Sequence, residues 1–269
     1  VAETDHHSGE RPLPFPRLPP SLHPCFPPAL SSTASPPVVW LHRMGEEGES
    51  SAPTEPIDPE DVARLWEAVH EGDQLAIHEL LVGDEEYPAC GLNVECKDGG
   101  GMGVLHWLAV EGHDSVAQWF IDEVGARVDE PDARHGQAPL HFAASKGKAT
   151  IAALLLHRGA NPVQRDSSGW TPLHTAARAG YCDVTATLIN ALAPEQIDLT
   201  GPSGYTALHR AAYWGNFEVA KQLVLAGANK MACDAAGRRP FEMACKGGEL
   251  IDVMPKLLKL LGPNSPSYD

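Results

Sequence analysis

Basic residues are scarce in this 269-residue chain: 20 lysines and arginines stand against 36 aspartates and glutamates, a formal net charge of −16. So acidic a surface repels phosphate backbones, which disfavours nucleic acid as a partner and mildly favours a basic protein surface. Long apolar runs are missing too. No stretch of 18 uninterrupted apolar residues exists and the amino end lacks a basic-then-apolar leader, so the expectation is no membrane span, no secretory signal, and work in the cytosol, the nucleus or both. Cysteines at 25, 90, 96, 182, 233 and 245 form no CxxC pair and no small disulfide framework, so reduced thiols are expected. Thirteen histidines invite a metal hypothesis, but Cys90 and Cys96 lack a Cys/His pair to complete four ligands. No metal and no cofactor is expected. Nor does a GxSxG, Walker, HExxH or kinase motif occur.

What is there falls into two parts. Residues 1–55 are Pro-rich ("RPLPFPRLPPSLHPCFPPAL") and then Glu/Ser-rich ("GEEGESSAPTEP"), with seven acids, three bases and no sustained period of 2 or 3.6. Such a segment buries too little apolar surface to offset chain entropy, and a disordered tail with polyproline-like stretches is expected. Order begins at "IDPEDVARLWEAVHEGD", where Asp58 is placed to cap a helix opened by Pro59 and Gly72 to end it. "LAIHELL" then resumes the apolar period as a second helix.

Beyond residue 97 one motif recurs. "GMGVLHWLAVEG", "GQAPLHFAASKG", "GWTPLHTAARAG", "GYTALHRAAYWG" and a worn "GRRPFEMACKGG" align His106, His141, His174, His209 and Glu242, at steps of 35, 33, 35 and 33. A fixed period near 33 residues marks an array of helix pairs. Thr171 is suited to accept from amides at the helix start, Pro172 is preset for the first helical position and Leu173 enters the core. Gly112, Gly147, Gly180, Gly215 and Gly248 follow each first helix, where a left-handed residue reverses the chain. Apolar pairs such as Val116/Phe120, Ile151/Leu155, Val184/Leu188 and Val219/Leu223 then form a buried seam along the second helices.

The run Thr171-Pro172-Leu173-His174 and its constant period resemble the ankyrin-repeat family, over about residues 57–262. The resemblance implies an all-α solenoid of stacked helix-turn-helix units with short β-hairpin loops. The expected units are an N-terminal cap (56–97), repeats at 98–132, 133–165, 166–200 and 201–233, a C-terminal cap (234–262) and a flexible end (263–269). Gly103-Val104, Ala138-Pro139, Thr206-Ala207 and Arg239-Pro240 each depart from Thr-Pro, and a missing capping hydroxyl weakens a helix start by about 1 kcal/mol. Inserts at 83–91 and around Pro194 are expected to lie in loops, and Pro255 to sit inside a basic, apolar terminal helix.

One histidine per repeat cannot converge on one substrate atom. The resemblance implies that His106, His141, His174 and His209 bridge neighbouring loops by hydrogen bonds, so no catalytic site is expected. Function then falls to a surface. In this architecture the residue after each His, and the one four further on, line the concave side. These pairs are Trp107/Glu111, Phe142/Lys146, Thr175/Ala179, Arg210/Trp214 and Met243/Gly247, with Tyr213 beside them and Trp170 and Tyr205 at loop tips. Trp and Arg dominate interface energetics, so an aromatic row reads as a protein-binding groove. The alternative is that some of these rings pack between repeats.

The reading is a non-catalytic interaction module, expected as a monomer, that presents a concave groove and loop tips to a protein partner. Two rivals stay open. One is the regulatory fragment of a larger enzyme or channel, hinted at by a first residue that is not Met; the other is an adaptor binding through its Pro-rich tail.

Overall fold

The computed structural model describes residues 59–81, 96–244 and 254–262. The tail expected at 1–55, the Asp58 cap, the insert at 83–91, the glycines 247 and 248 and the end at 263–269 lie outside the described residues.

Twelve α-helices are present among the described residues: α1 Pro59–Glu71, α2 Gln74–Leu81, α3 Val104–Glu111, α4 Asp114–Asp122, α5 Pro139–Lys146, α6 Ala149–His157, α7 Pro172–Ala179, α8 Cys182–Ala191, α9 Ala207–Trp214, α10 Phe217–Leu225, α11 Pro240–Ala244 and α12 Met254–Leu261. They pair within units, α3 with α4 through α9 with α10, and the first helices stack as α1, α3, α5, α7, α9, α11. The seam inferred from spacing is the core: Val116, Phe120, Ile151, Leu155, Val184, Leu188, Val219 and Leu223 are all buried. Ala143, Ala144, Ala176, Ala177, Ala211 and Ala212 are fully buried between neighbouring first helices, where a longer side chain would push the helices apart.

The first helices α3, α5, α7 and α9 each end on a glycine in the left-handed region, Gly112, Gly147, Gly180 and Gly215 at φ 94°, 75°, 86° and 74°. Packing as well as φ forbids a side chain there, since a Cβ at Gly180 would meet the Asn216 amide at 2.7 Å. At three of these four glycines the next residue is a second fastening between repeats. Lys148 Nζ donates to the Glu111 carbonyl at 2.7 Å, and Asn216 Nδ2 donates to the carbonyls of Ala177 and Arg178 at 2.8 and 2.9 Å. His113 Nε2 similarly reaches the His70 carbonyl at 2.9 Å, tying α1 to the first full repeat. These partners satisfy carbonyls that a helix end leaves open.

The hairpin loops take a reduced form. They are tight turns closed by a pair of backbone bonds, as from Asp166 N–H to the Trp170 carbonyl and from Gly169 N–H to the Asp166 carbonyl, both at 2.8 Å; the Lys97–Gly103 bridge is the β pairing found among the described residues. A buried or half-buried aspartate organises these turns. Asp98, Asp132, Asp166 and Asp234 each accept from two or more backbone N–H groups of their own turn. Where this aspartate is replaced by Gly201, the turn is a short 3-10 segment, Pro202–Gly204, with Ser203 at φ 55°.

The insert around Pro194 stays in a loop, as expected, and contributes Ile197 to the core. Pro255 lies within the terminal helix, in its first turn, where its missing N–H costs nothing, and Leu257, Leu260 and Leu261 bury that helix's apolar face. One expectation is corrected. Met243, expected on the outward face, is buried at 4% exposure.

Candidate functional site

The histidines come first, because they set where the surface rings stand. Nδ1 of His106, His141, His174 and His209 accepts from the backbone N–H three residues earlier at 3.1, 3.2, 3.4 and 3.2 Å. Nε2 then donates into the next repeat, to the carbonyls of Gln137, Trp170, Tyr205 and Arg238 at 3.0–3.1 Å. An acceptor at Nδ1 and a donor at Nε2 define the neutral Nε2–H tautomer. Burial agrees, pushing all four pKa values down and that of His174 to about 4. The hydroxyls of Thr171 and Thr206 add a bond to Nδ1 at 2.8 and 2.9 Å, and Thr206 Oγ1 also accepts from the His209 amide. Helices lacking a Thr retain the same start because the imidazole supplies an acceptor. In the worn repeat Glu242 takes over that role, its carboxylate accepting from the Arg239 amide at 2.6 Å.

Two of the carbonyls held in this way belong to Trp170 and Tyr205, and this fixes their rings. The rings lie parallel and offset, 6.4 Å apart at 8°. Arg210 reaches over from α9 to lie 4.0 Å from the Trp170 ring centre. Tyr205 Oη accepts from Arg238 at 2.7 Å, and Arg238 is held in turn by Asp234. Expected at loop tips, with packing between repeats as the alternative, Trp170 and Tyr205 are half-buried and cover one another. Gly201 makes room for this stack, since a Cβ there would meet the indole at 2.6 Å.

The row along the first helices divides in two. At its N-terminal end Trp107 donates its indole N–H to Asp98 at 2.9 Å and stands edge-on to His70, and Phe142 stands edge-on to His106. Both rings are half-buried against the core. Glu111 is exposed beside His70, 3.3 Å away, and Lys146 is half-exposed. At the C-terminal end the rings stand clear: Tyr213 is 43% and Trp214 48% exposed, edge-on to each other at 5.6 Å. Arg178 of α7 lies 5.3 Å from the centre of the Trp214 ring. The Asn216 bond to the Arg178 carbonyl fastens this pair from the backbone side. On the first-helix row the exposed rings are therefore Tyr213 and Trp214, with Arg178 and Arg210 beside them on the last two full repeats.

The signature imidazoles are not placed to act as bases: each has both ring nitrogens engaged and is buried. What the arrangement does is hold planar and cationic groups at fixed positions on a stack of helices. The family model for ankyrin repeats matches three times, at residues 65–166, 105–200 and 161–234. The chain belongs to the ankyrin-repeat family. The ankyrin repeat is a protein-binding architecture that is not itself catalytic. Among curated proteins, the chain is 32% identical over 183 residues to inversin of Canis lupus familiaris, covering 68% of this chain and 16% of inversin. It is 34% identical over 149 residues to the tyrosine-protein kinase Shark of Drosophila melanogaster, covering 54% of this chain and 15% of the kinase. It is 25% identical over 210 residues to the palmitoyltransferase AKR1 of Lachancea kluyveri, covering 75% of this chain and 28% of that protein. The chain thus spans less than a third of the length of each of these relatives.

The sequence identified the signature histidines and the aromatic row. It missed the turn aspartates and the residue after each helix-ending glycine. Both had a signal: Asp98, Asp132 and Asp166 stand 34 residues apart, with Asp234 two such steps on, and His113, Lys148, Tyr181 and Asn216 keep the repeat period.

Proposed function

We propose that this chain is an adaptor whose concave first-helix face binds a protein partner through its C-terminal half, at Trp214, Tyr213, Arg178 and Arg210. The observation that carries the reading is Trp214, a large ring nearly half exposed yet held in place on a rigid helix and by Arg178. An ordered exposed ring loses little conformational freedom on binding, which is what a hot spot needs. Trp107, Phe142, Trp170 and Tyr205 support the face from below more than they contact a partner, and Glu111 and Lys146 form its N-terminal rim. A standard interface of about 1,600 Å² fits on a four-repeat face. The reading keeps 1–55 as a tail outside the array and places the protein, as a monomer, in the cytosol or nucleus, where its thiols stay reduced.

The test is affinity recovery from cell extract with the full chain and a Tyr213→Ala/Trp214→Ala variant of matched melting temperature. A protein retained by the unmutated chain alone, with at least thirtyfold weaker binding to the variant, supports the groove. Identical recovery by both overturns it.

A second reading is favoured by the relatives named as enzymes: the array is the regulatory part of a larger enzyme. A transcript encoding a catalytic domain in frame with residues 1–269 supports it, and a transcript ending within the array removes it.

A further inference from the structure

The charge of the first-helix face runs against that of the chain. Among the positions one, four and five residues after the four signature histidines, there is one acid, Glu111, and three bases, Lys146, Arg178 and Arg210, in a chain of net charge −16. Glu111 sits at the N-terminal rim beside His70. The three bases follow one another on α5, α7 and α9, which pack in that order. Adjacent packed helices lie about 8–10 Å apart, within about one Debye length, so the three cations act as one positive stripe. Arg210 feels Arg178: burial first, then that neighbouring guanidinium, push its pKa down to about 10.

Among the described residues no carboxylate pairs with Lys146, Arg178 or Arg210, and neither arginine spends a side-chain N–H on a hydrogen bond. The other arginines in this region are occupied, Arg165 on the carbonyls of Gly169 and Thr200 and Arg238 on Asp234 and Tyr205. A guanidinium stacked on an indole uses its flat face and leaves its N–H edge free, the edge that fits a carboxylate with two parallel bonds.

We propose that this stripe docks an extended acidic segment of a partner protein, its carboxylates on the N–H edges of Arg178 and Arg210 and its apolar side chains on Trp214 and Tyr213. The proposal rests on the groove reading above and reverses the basic partner expected from net charge. First helices about 8–10 Å apart match every third residue of an extended chain crossing them, which advances about 3.3 Å per residue. A nucleic acid carries many closely spaced phosphates that extend past the stripe into the surrounding negative field, whereas a short acidic segment stays inside it.

The test is fluorescence anisotropy with the full chain and a labelled dodecapeptide carrying Glu at every third position and Leu and Ser elsewhere, beside the same peptide with Gln or Lys in place of Glu. The Glu probe is expected to bind at least tenfold more tightly than the Gln probe. That advantage is lost in Arg178→Gln/Arg210→Gln, shrinks when salt is raised, and persists in Lys221→Gln, which changes an exposed residue on α10. Equal binding of Glu and Gln probes, an unaffected arginine variant, or tighter binding of a single-stranded dodecanucleotide each overturns the proposal. So does a tenfold gain when Glu46, Glu47, Glu49 and Glu55 are all changed to Gln, because this chain's own acidic run would then be the occupant. A Lys probe that binds and is lost in Trp214→Ala would overturn the acidic preference and leave the groove reading standing. No effect of Trp214→Ala on any probe would remove both.

Discussion

His174 and Tyr205 are joined across 31 residues: the imidazole Nε2–H donates to the Tyr205 carbonyl at 3.0 Å, and that same carbonyl accepts the Gly201 amide that closes its turn at 2.7 Å. One oxygen thus links the start of one repeat's helix to the closed turn of the next. A carbonyl with two lone pairs satisfies both donors, and each full repeat uses it in this way. Stability and the placement of the surface rings are therefore set by the same bonds.

The ladder requires neutral imidazoles, so stability depends on pH. His174 is held at about 4 against 6.5 for the unconstrained group, and His106, His141 and His209 shift in the same direction. The unfolded chain binds more protons between those values, so stability is full above about pH 6.5 and falls as pH drops toward 4. The His174 term alone is on the order of 3 kcal/mol across that window. Urea midpoints measured at pH 7.5, 6.5, 5.5 and 5.0 are expected to decline below 6.5. A flat profile would mean that the imidazoles are not locked in the neutral form.

Asn216 joins α9 to α7 at the exposed rings. Asn216→Ala leaves the carbonyls of Ala177 and Arg178 without this donor and is expected to cost about 1–2 kcal/mol. It also frees the backbone beneath Arg178, so quenching of Trp214 fluorescence by iodide is expected to change along with the melting temperature. Unchanged melting would show that water replaces the amide at no cost.

Gly201 is at φ −90°, so its role is space and not backbone conformation. Gly201→Ala drives a methyl into the Trp170 indole and displaces it from Tyr205 and Arg210, at about 1–3 kcal/mol. Denaturant unfolding checks the cost. A variant as stable as the parent would mean that the stack yields freely.

Trp214 and Phe120 separate surface from core. Phe120 is 1% exposed, and Phe120→Ala is expected to cost about 3–5 kcal/mol. Trp214→Ala, at a half-exposed ring, is expected to cost under about 1 kcal/mol of stability while weakening a bound partner by over about 2 kcal/mol. Calorimetric melting and titration with the partner measure the two effects separately.

The fold was legible because the repeat imposes one period on several unrelated needs at once. Small Ala176-Ala177, left-handed Gly180 and buried Leu173 and His174 each have a distinct physical reason, and all fall at one spacing. The proposed binding face was legible only in part. Helical spacing places Trp107, Phe142 and Trp214 on one row, but exposure along that row depends on partners from other elements. His70 and Asp98 engage Trp107, whereas among the described residues the Trp214 ring meets Arg178 and Tyr213. Trp170 and Tyr205 follow turn glycines and look like tips, yet the carbonyl grip from the preceding histidines turns their rings onto each other. The net charge of −16 is a property of the whole chain and does not show how charge is distributed, so the row of Lys146, Arg178 and Arg210 on the first helices was not legible in it.

The most direct measurement is site-specific photo-crosslinking in cells, with a benzophenone amino acid at position 214 in one version and at position 225 in another. Leu225 is the more exposed of the two, at 58%, and lies on the second helix of the same repeat. If the first-helix face is the binding surface, a protein is crosslinked from 214 and not from 225. Crosslinking from 225 with none from 214 would contradict that account and move the interaction to the outer helices.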